Sequence, residues 1–159
     1  MTNTIGLKGI EFVEFSAKEA KSLDRLFTDF GFTNRQNHKV KNFSLYRQNQ
    51  INFILNTEKD SFGSVFSEKH GPSISAMGWR FENAKNAYEL ALKRGAKACE
   101  KNDYGIPAVY GIGDSLIYFV DSETLAGDYS QLGFVKRQDI KEVPEKGFQC
   151  IDHLTNNVH

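Results

Sequence analysis

GIEFVEFSAKEAKSLDRLFTDFG, residues 9–31, is the stretch whose reading decides the fold. Residues 9–15 alternate apolar with acidic side chains until Phe15, the pattern of a strand with one face turned inward. Ser16 and Glu19 then stand at capping-box spacing, the hydroxyl placed to accept from the Glu19 N–H and the carboxylate to reach back. Leu23, Leu26, Phe27 and Phe30 follow at i, i+3, i+4 and i+7, one buried stripe of a helix. Gly31 supplies a left-handed stop. Working outward, three strands are expected at about residues 32–39, 42–48 and 51–57, with the polar doublet Asn49-Gln50 turning the chain between the last two. This is a βαβββ unit.

The pattern then repeats. Phe62, Val65 and Phe66 form a short apolar stripe on a linking helix that Gly71-Pro72 ends. Residues 74–81 read as a strand and Asn83 as the N-cap of a helix with Ala84, Ala87, Tyr88 and Ala91 on one face, stopping at Gly95. Strands are expected at 97–101, 108–112 and 116–121. Phe15 and Phe81 each close the first strand of a unit and lie 66 residues apart, a supersecondary duplication. Residues 129–135 read as the last edge of the second unit. The expected organisation is an N-terminal domain over 8–135, with units at about 8–60 and 73–135, a linker over 136–147, and at 148–159 the first strand of a third unit that the chain does not complete. The class is α+β, with mostly antiparallel curved sheets and helices outside.

Composition narrows the function. Of 159 residues, 40% are hydrophobic and 25% charged, an ordinary globular balance. Twenty basic side chains offset twenty acidic ones, with no basic block, which excludes nucleic acid and anionic lipid as partners. No apolar run is long enough to span a membrane, and MTNTIGLKG carries no basic-then-apolar leader. Cys99 and Cys150 read as reduced thiols of a cytoplasmic protein. Thirteen Phe and six Tyr read as the filling of a β-rich core.

Two βαβββ units side by side resemble the vicinal-oxygen-chelate fold of glyoxalases, extradiol dioxygenases and bleomycin-resistance proteins. More narrowly, GIEFVEF, LYRQNQINFILN, SEKHGPS, the helix ending in LALKRGA, GIGDSLIYFVD and IDHLTNNV occur here in order. Together they resemble the N-terminal half of the 4-hydroxyphenylpyruvate dioxygenase family, over roughly residues 8–158. The resemblance implies a non-haem Fe(II) enzyme of tyrosine breakdown. Such an enzyme decarboxylates 4-hydroxyphenylpyruvate, activates O2, hydroxylates the ring and shifts the side chain to give homogentisate. Two histidines and a glutamate hold the iron, a facial triad with open positions. The first of these histidines lies in an I-D-H motif, here Ile151-Asp152-His153, so His153 is the expected metal ligand. The other two belong to a C-terminal catalytic domain, the expected partner, and the family's habit implies a homo-oligomer.

The remaining candidates read as structural. His38 and His70 sit in a polar stretch and a loop without a partner at metal-like spacing, and His159 is terminal. Aligning Phe15, Phe81 and Asn156 puts Phe12 and Gly78 where His153 stands, and neither can donate to a metal. Glu11 and Glu14 are expected to face away from the interior and to point to opposite faces of their strand. Gly111-Ile112-Gly113 reads as a turn and Trp79 as core. The first two units are therefore expected to be a metal-free copy, and this chain alone is expected not to turn over substrate. The alternative is a stand-alone module binding a small ligand without chemistry. A glyoxalase-like lyase or isomerase would need His or Glu ligands at the positions of Phe12 and Gly78.

Overall fold

A computed structural model describes residues 3–125 and 128–156. The alternating stretch is strand β1 (Leu7–Ser16), followed by α1 (Lys21–Asp29), β2 (Thr33–His38), β3 (Phe43–Gln48) and β4 (Ile51–Asn56). Helix α2 (Phe62–His70) links to β5 (Ser73–Phe81), α3 (Ala84–Lys93), β6 (Ala108–Tyr110) and β7 (Leu116–Val120). A short helix α4 (Ser122–Leu125) and strand β8 (Phe134–Lys136) follow. The described strands form one eight-stranded sheet in the order β6-β7-β5-β1-β4-β3-β2-β8. Among the described residues no helix is long and apolar enough to cross a membrane.

The duplication is visible in the pairing. β1 runs parallel to β4 as β5 runs parallel to β7, and β1 and β5 join the halves in antiparallel register. Phe12 and Gly78, 66 residues apart, are direct partners across that joint. Equivalent residues of two antiparallel copies meet only where their two-fold axis passes, so the axis runs through this pair.

Two expectations about the second unit fail. The strand expected at 97–101 is a single bridge, Ala98 to Val109, with backbone bonds from Cys99 N to Ala108 O (2.8 Å) and Tyr110 N to Lys97 O (2.9 Å). The edge expected at 129–135 is β8, but it pairs with β2 of the first unit (Gln36↔Lys136, Asn37↔Val135, His38↔Phe134). The second unit's last segment crosses over to close the first unit's edge. Gly133 permits the turn into β8: its φ is +90°, and a Cβ there would stand 2.4 Å from the His38 ring. His38 itself closes the β2–β3 turn, its Nδ1 accepting from Lys41 N at 3.0 Å.

Helix α1 also departs from expectation. Its N-cap is Ala20, with no side-chain cap, and Ser16 is still in β1. The capping box does not form because the Ser16 hydroxyl is taken by Ser75 at 2.6 Å. Of the predicted stripe only Phe27 is fully buried; Leu26 and Phe30 remain about half exposed. Gly31 ends the helix as expected, with φ +83° and Phe32 N bonded to Phe27 O. Asn83 caps α3 by accepting from Asn86 N at 2.8 Å.

The sheet has two differently used faces. Under α1 pack Phe15, Phe27, Phe32, Tyr46 and Phe53; under α3 pack Trp79, Phe81, Ala87, Tyr88 and Phe119. The opposite face carries Phe12, Leu45, Ile54, Ala76, Leu116 and Tyr118. Ala108 from one edge of the sheet and Phe134 from the other join this same cluster. The sheet therefore curls around it, making a concave interior.

Candidate functional site

The contents of the concave interior follow from β1. With a side-chain period of two, Phe12, Glu14 and Ser16 all point inward; each is 1% exposed or less. The Phe12 ring lies directly against Gly78, where a Cβ would stand only 2.3 Å from its Cε1. Tyr104, Tyr118 and Tyr129 surround it, ring centroids 5.9, 6.0 and 6.2 Å away. The axis of the duplication is thus filled by an aromatic ring.

Glu11 and Glu14, expected to face away and apart, both turn inward. Glu14 does so by plain alternation with Phe12. Glu11 does so because β1 has an extra residue between the pairs Ile10↔Trp79 and Phe12↔Gly78, a β-bulge that re-aims it. A matching bulge in β5 turns Ser75 inward. Each carboxylate meets a tyrosine from a distant loop. Tyr104 donates to Glu14 Oε2 at 2.6 Å, and Tyr129 to Glu11 Oε1 at 3.0 Å. Glu14 Oε1 also accepts from Asn56 Nδ2 (2.8 Å) and Ser75 Oγ (3.2 Å). Glu11 Oε2 pairs with Arg80 Nη1 at 3.0 Å. The loop carrying Tyr104 is pinned by Asp103, which accepts from Phe62 N (2.9 Å) and pairs with Lys41 (3.5 Å). Two loops thus each send a tyrosine into the interior. The composition of β1 held a signal for these tyrosines, since a carboxylate on an inward face requires a donor.

Burial pushes the Glu14 carboxyl above its ordinary range, against the opposing effect of the bonds from Asn56, Tyr104 and Ser75. Burial, with the facing carboxylate adding to it, likewise raises Tyr104 and Tyr129. The folded state thus holds the Glu14 proton more tightly than the unfolded chain. Its contribution to stability is complete below the ordinary value of 4.5 and is lost as pH rises through the elevated folded value. Glu14→Gln, which keeps the shape and supplies a permanent donor toward Tyr104, is expected to remove this loss. Chemical denaturation at a series of pH values checks it: the wild type should fall relative to the variant as pH rises, and parallel curves would count against a raised carboxyl.

The donor set does not suit iron in this interior. Phe12 and Gly78, which the repeat aligns with His153, carry no donor atom in their side chains, and Glu14 is already committed to three donors. Among the described residues there is no grouping of three His, Cys, Asp or Glu that could hold a metal. His153 lies elsewhere, on the segment after β8. Residues 148–156 form no strand, and the side chain of His153 is 75% exposed with Nδ1 2.8 Å from Asp152 Oδ2. The strand expected there has no partner strands among the described residues. His70 packs against Phe66 with the rings tilted and their centroids 4.4 Å apart, and His159 lies outside the described residues. A recess of about 380 Å³ lies beside α1 between Leu26, Phe30, Phe53 and Phe148 and is lined by apolar side chains alone.

Comparison with known proteins places this geometry. The family profile described as "Hydroxyphenylpyruvate dioxygenase, HPPD, N-terminal" matches residues 1–131. Protein MelA of Shewanella colwelliana is 48% identical over 162 residues, covering 99% of this chain and 46% of that protein. A 4-hydroxyphenylpyruvate dioxygenase of Pseudomonas sp. (strain P.J. 874) is 35% identical over 162 residues, covering 99% of this chain and 45% of the enzyme. The chain thus spans a little under half the length of these relatives. A solved xylose isomerase-like TIM barrel/4-hydroxyphenylpyruvate dioxygenase fusion protein superposes with a TM-score of 0.82 at 31% identity, covering 92% of this chain and 24% of that one.

Proposed function

The chain belongs to the hydroxyphenylpyruvate dioxygenase family, matching its N-terminal part, and its two βαβββ units have the vicinal-oxygen-chelate fold; from that premise we propose that it is the non-catalytic N-terminal part of an Fe(II)-dependent 4-hydroxyphenylpyruvate dioxygenase. The intact enzyme would convert 4-hydroxyphenylpyruvate and O2 to homogentisate and CO2 in tyrosine breakdown. The observation that supports the reading is the Phe12 ring seated on Gly78, which leaves the interior filled by an aromatic side chain with no metal donor at either position. Iron, when bound to the intact protein, would supply the site for O2 and the 2-oxo acid. From this chain it would take His153, with ligands from the C-terminal half completing the set.

This assigns the chain's own residues structural work. They hold a curled, duplicated scaffold on which the C-terminal catalytic domain docks, and through which subunits of a homo-oligomer associate. The free thiols Cys99 and Cys150 favour a reducing compartment, the cytoplasm. A stand-alone binding module is disfavoured: the concave interior is plugged, and the recess beside α1 offers no polar group to orient a small polar ligand.

The test compares this chain with the intact protein under Fe(II), air and 4-hydroxyphenylpyruvate. CO2 release is expected from the intact protein and none from residues 1–159. Stoichiometric CO2 from the chain alone would sink the reading.

A further inference from the structure

By sequence Gln48 closes β3 and the polar doublet Asn49-Gln50 is the turn into β4. In the structure they do more. Gln48 is 1% exposed, and its amide faces two ways. Its Nε2 donates to the carbonyl of Phe30 at the end of α1 (3.0 Å). Its Oε1 accepts from the backbone of the segment after β8, from Lys146 N at 2.7 Å and Phe148 N at 3.3 Å. The next two residues continue the contact. Asn49 Nδ2 donates to Phe148 O (2.7 Å), and Gln50 N donates to Gln149 O (3.0 Å). Asn49 adopts φ +50°, which presents its amide to this segment. Upstream, Val143 N donates to Thr33 Oγ1 at 3.2 Å and Glu142 pairs with Arg35. Gly31 lets the strap pass: a Cβ there would stand 2.7 Å from Pro144 O.

We propose that Gln48-Asn49-Gln50 is a clasp that fixes residues 146–149 to the first unit and so positions His153, four residues further on. The positioning half of this statement rests on the function proposed above; the clasp itself does not. A segment with no strand pairing of its own would otherwise be a flexible tether. Here consecutive side-chain and backbone groups of one turn satisfy its amides, and Gln48 would keep a buried, unpaired acceptor if the strap left. A ligand delivered by a tether samples many placements, whereas one delivered from a fixed strap starts near its productive geometry.

Two variants of the intact protein separate the clasp from general stability. Gln48→Leu removes both the donor to Phe30 and the acceptor for the strap. Gln48→Glu sacrifices or weakens the first but keeps an oxygen for Lys146 N and Phe148 N. Cleavage by trypsin at the Lys146–Gly147 bond is expected to accelerate roughly tenfold in Gln48→Leu and to stay near wild type in Gln48→Glu. Equal cleavage in all three proteins overturns the clasp. Fe(II) affinity and kcat are expected to fall roughly tenfold in Gln48→Leu, with KM changing little. If cleavage rises while Fe(II) affinity and kcat are unchanged, the positioning role is overturned. If the wild-type intact protein releases no CO2, the functional reading fails, and the cleavage comparison still decides the clasp.

Discussion

Phe12→Ala is expected to destabilise the chain by about 3–5 kcal/mol, the range for removing a fully buried phenylalanine. The ring is wholly inaccessible and touches three tyrosines and the bare backbone of Gly78, so little around it can relax into the gap. The converse change, Gly78→Val, inserts side-chain atoms where Phe12 already lies and is expected to cost about 1–3 kcal/mol or more through overpacking. The double variant is the informative one. A valine at 78 would occupy space that an alanine at 12 has vacated, so the two losses should fall short of additivity by about 1–3 kcal/mol. Urea unfolding followed through Trp79, the single tryptophan, measures all three. Strict additivity would mean that the two positions do not share one space, and the account of the filled interior would fall with it.

In the intact protein His153→Ala is expected to lower CO2 release from 4-hydroxyphenylpyruvate by more than about a hundredfold, beyond the roughly 10–100-fold typical of losing an outer partner of a metal site. Metal content should fall in parallel, while unfolding of the N-terminal part should be unaffected, because His153 is exposed and contributes no packing there. Asp152→Asn is the useful control. If His153 and not Asp152 is the ligand this chain supplies, the asparagine variant should retain iron. A His153→Ala protein that keeps turnover within tenfold of wild type would remove His153 from the site.

Much of the scaffold was legible because it is written in local periodicity. The alternation around Phe12, the stripe ending at Gly31, the Asn83 cap and the 66-residue recurrence each involve neighbours in sequence. What was misread depends on partners far along the chain. Ser16 has the spacing of a cap, but its hydroxyl is claimed by Ser75, 59 residues later. Glu14 looks like a solvent-facing charge until Tyr104, 90 residues away, supplies a donor inside the fold. Glu11 is turned by a bulge, and an extra residue in one strand can be recognised only against its partner. Leu26 and Phe30 keep the helical period yet stay half exposed, since periodicity names a face without saying what covers it. As for the candidate site, the positions of Phe12 and Gly78 were obtained by aligning the repeat, but neither their direct contact nor the plugging tyrosines could be. The motif around His153 was readable only through family resemblance; one histidine on a segment without strand partners declares nothing by itself.

The crossing of β8 onto β2 carries a consequence for biosynthesis. Gln36 pairs with Lys136, so the outer edge of the first unit has no partner until one hundred further residues have been made. Throughout that interval a nascent chain presents the open backbone of β2, the kind of edge onto which a neighbouring nascent chain on the same message can add. Closing it last also makes this the most non-local pairing of the sheet and a slow step of assembly. The two copies can therefore not mature in turn as they leave the ribosome: the earlier one waits for the end of the later one before its sheet is sealed.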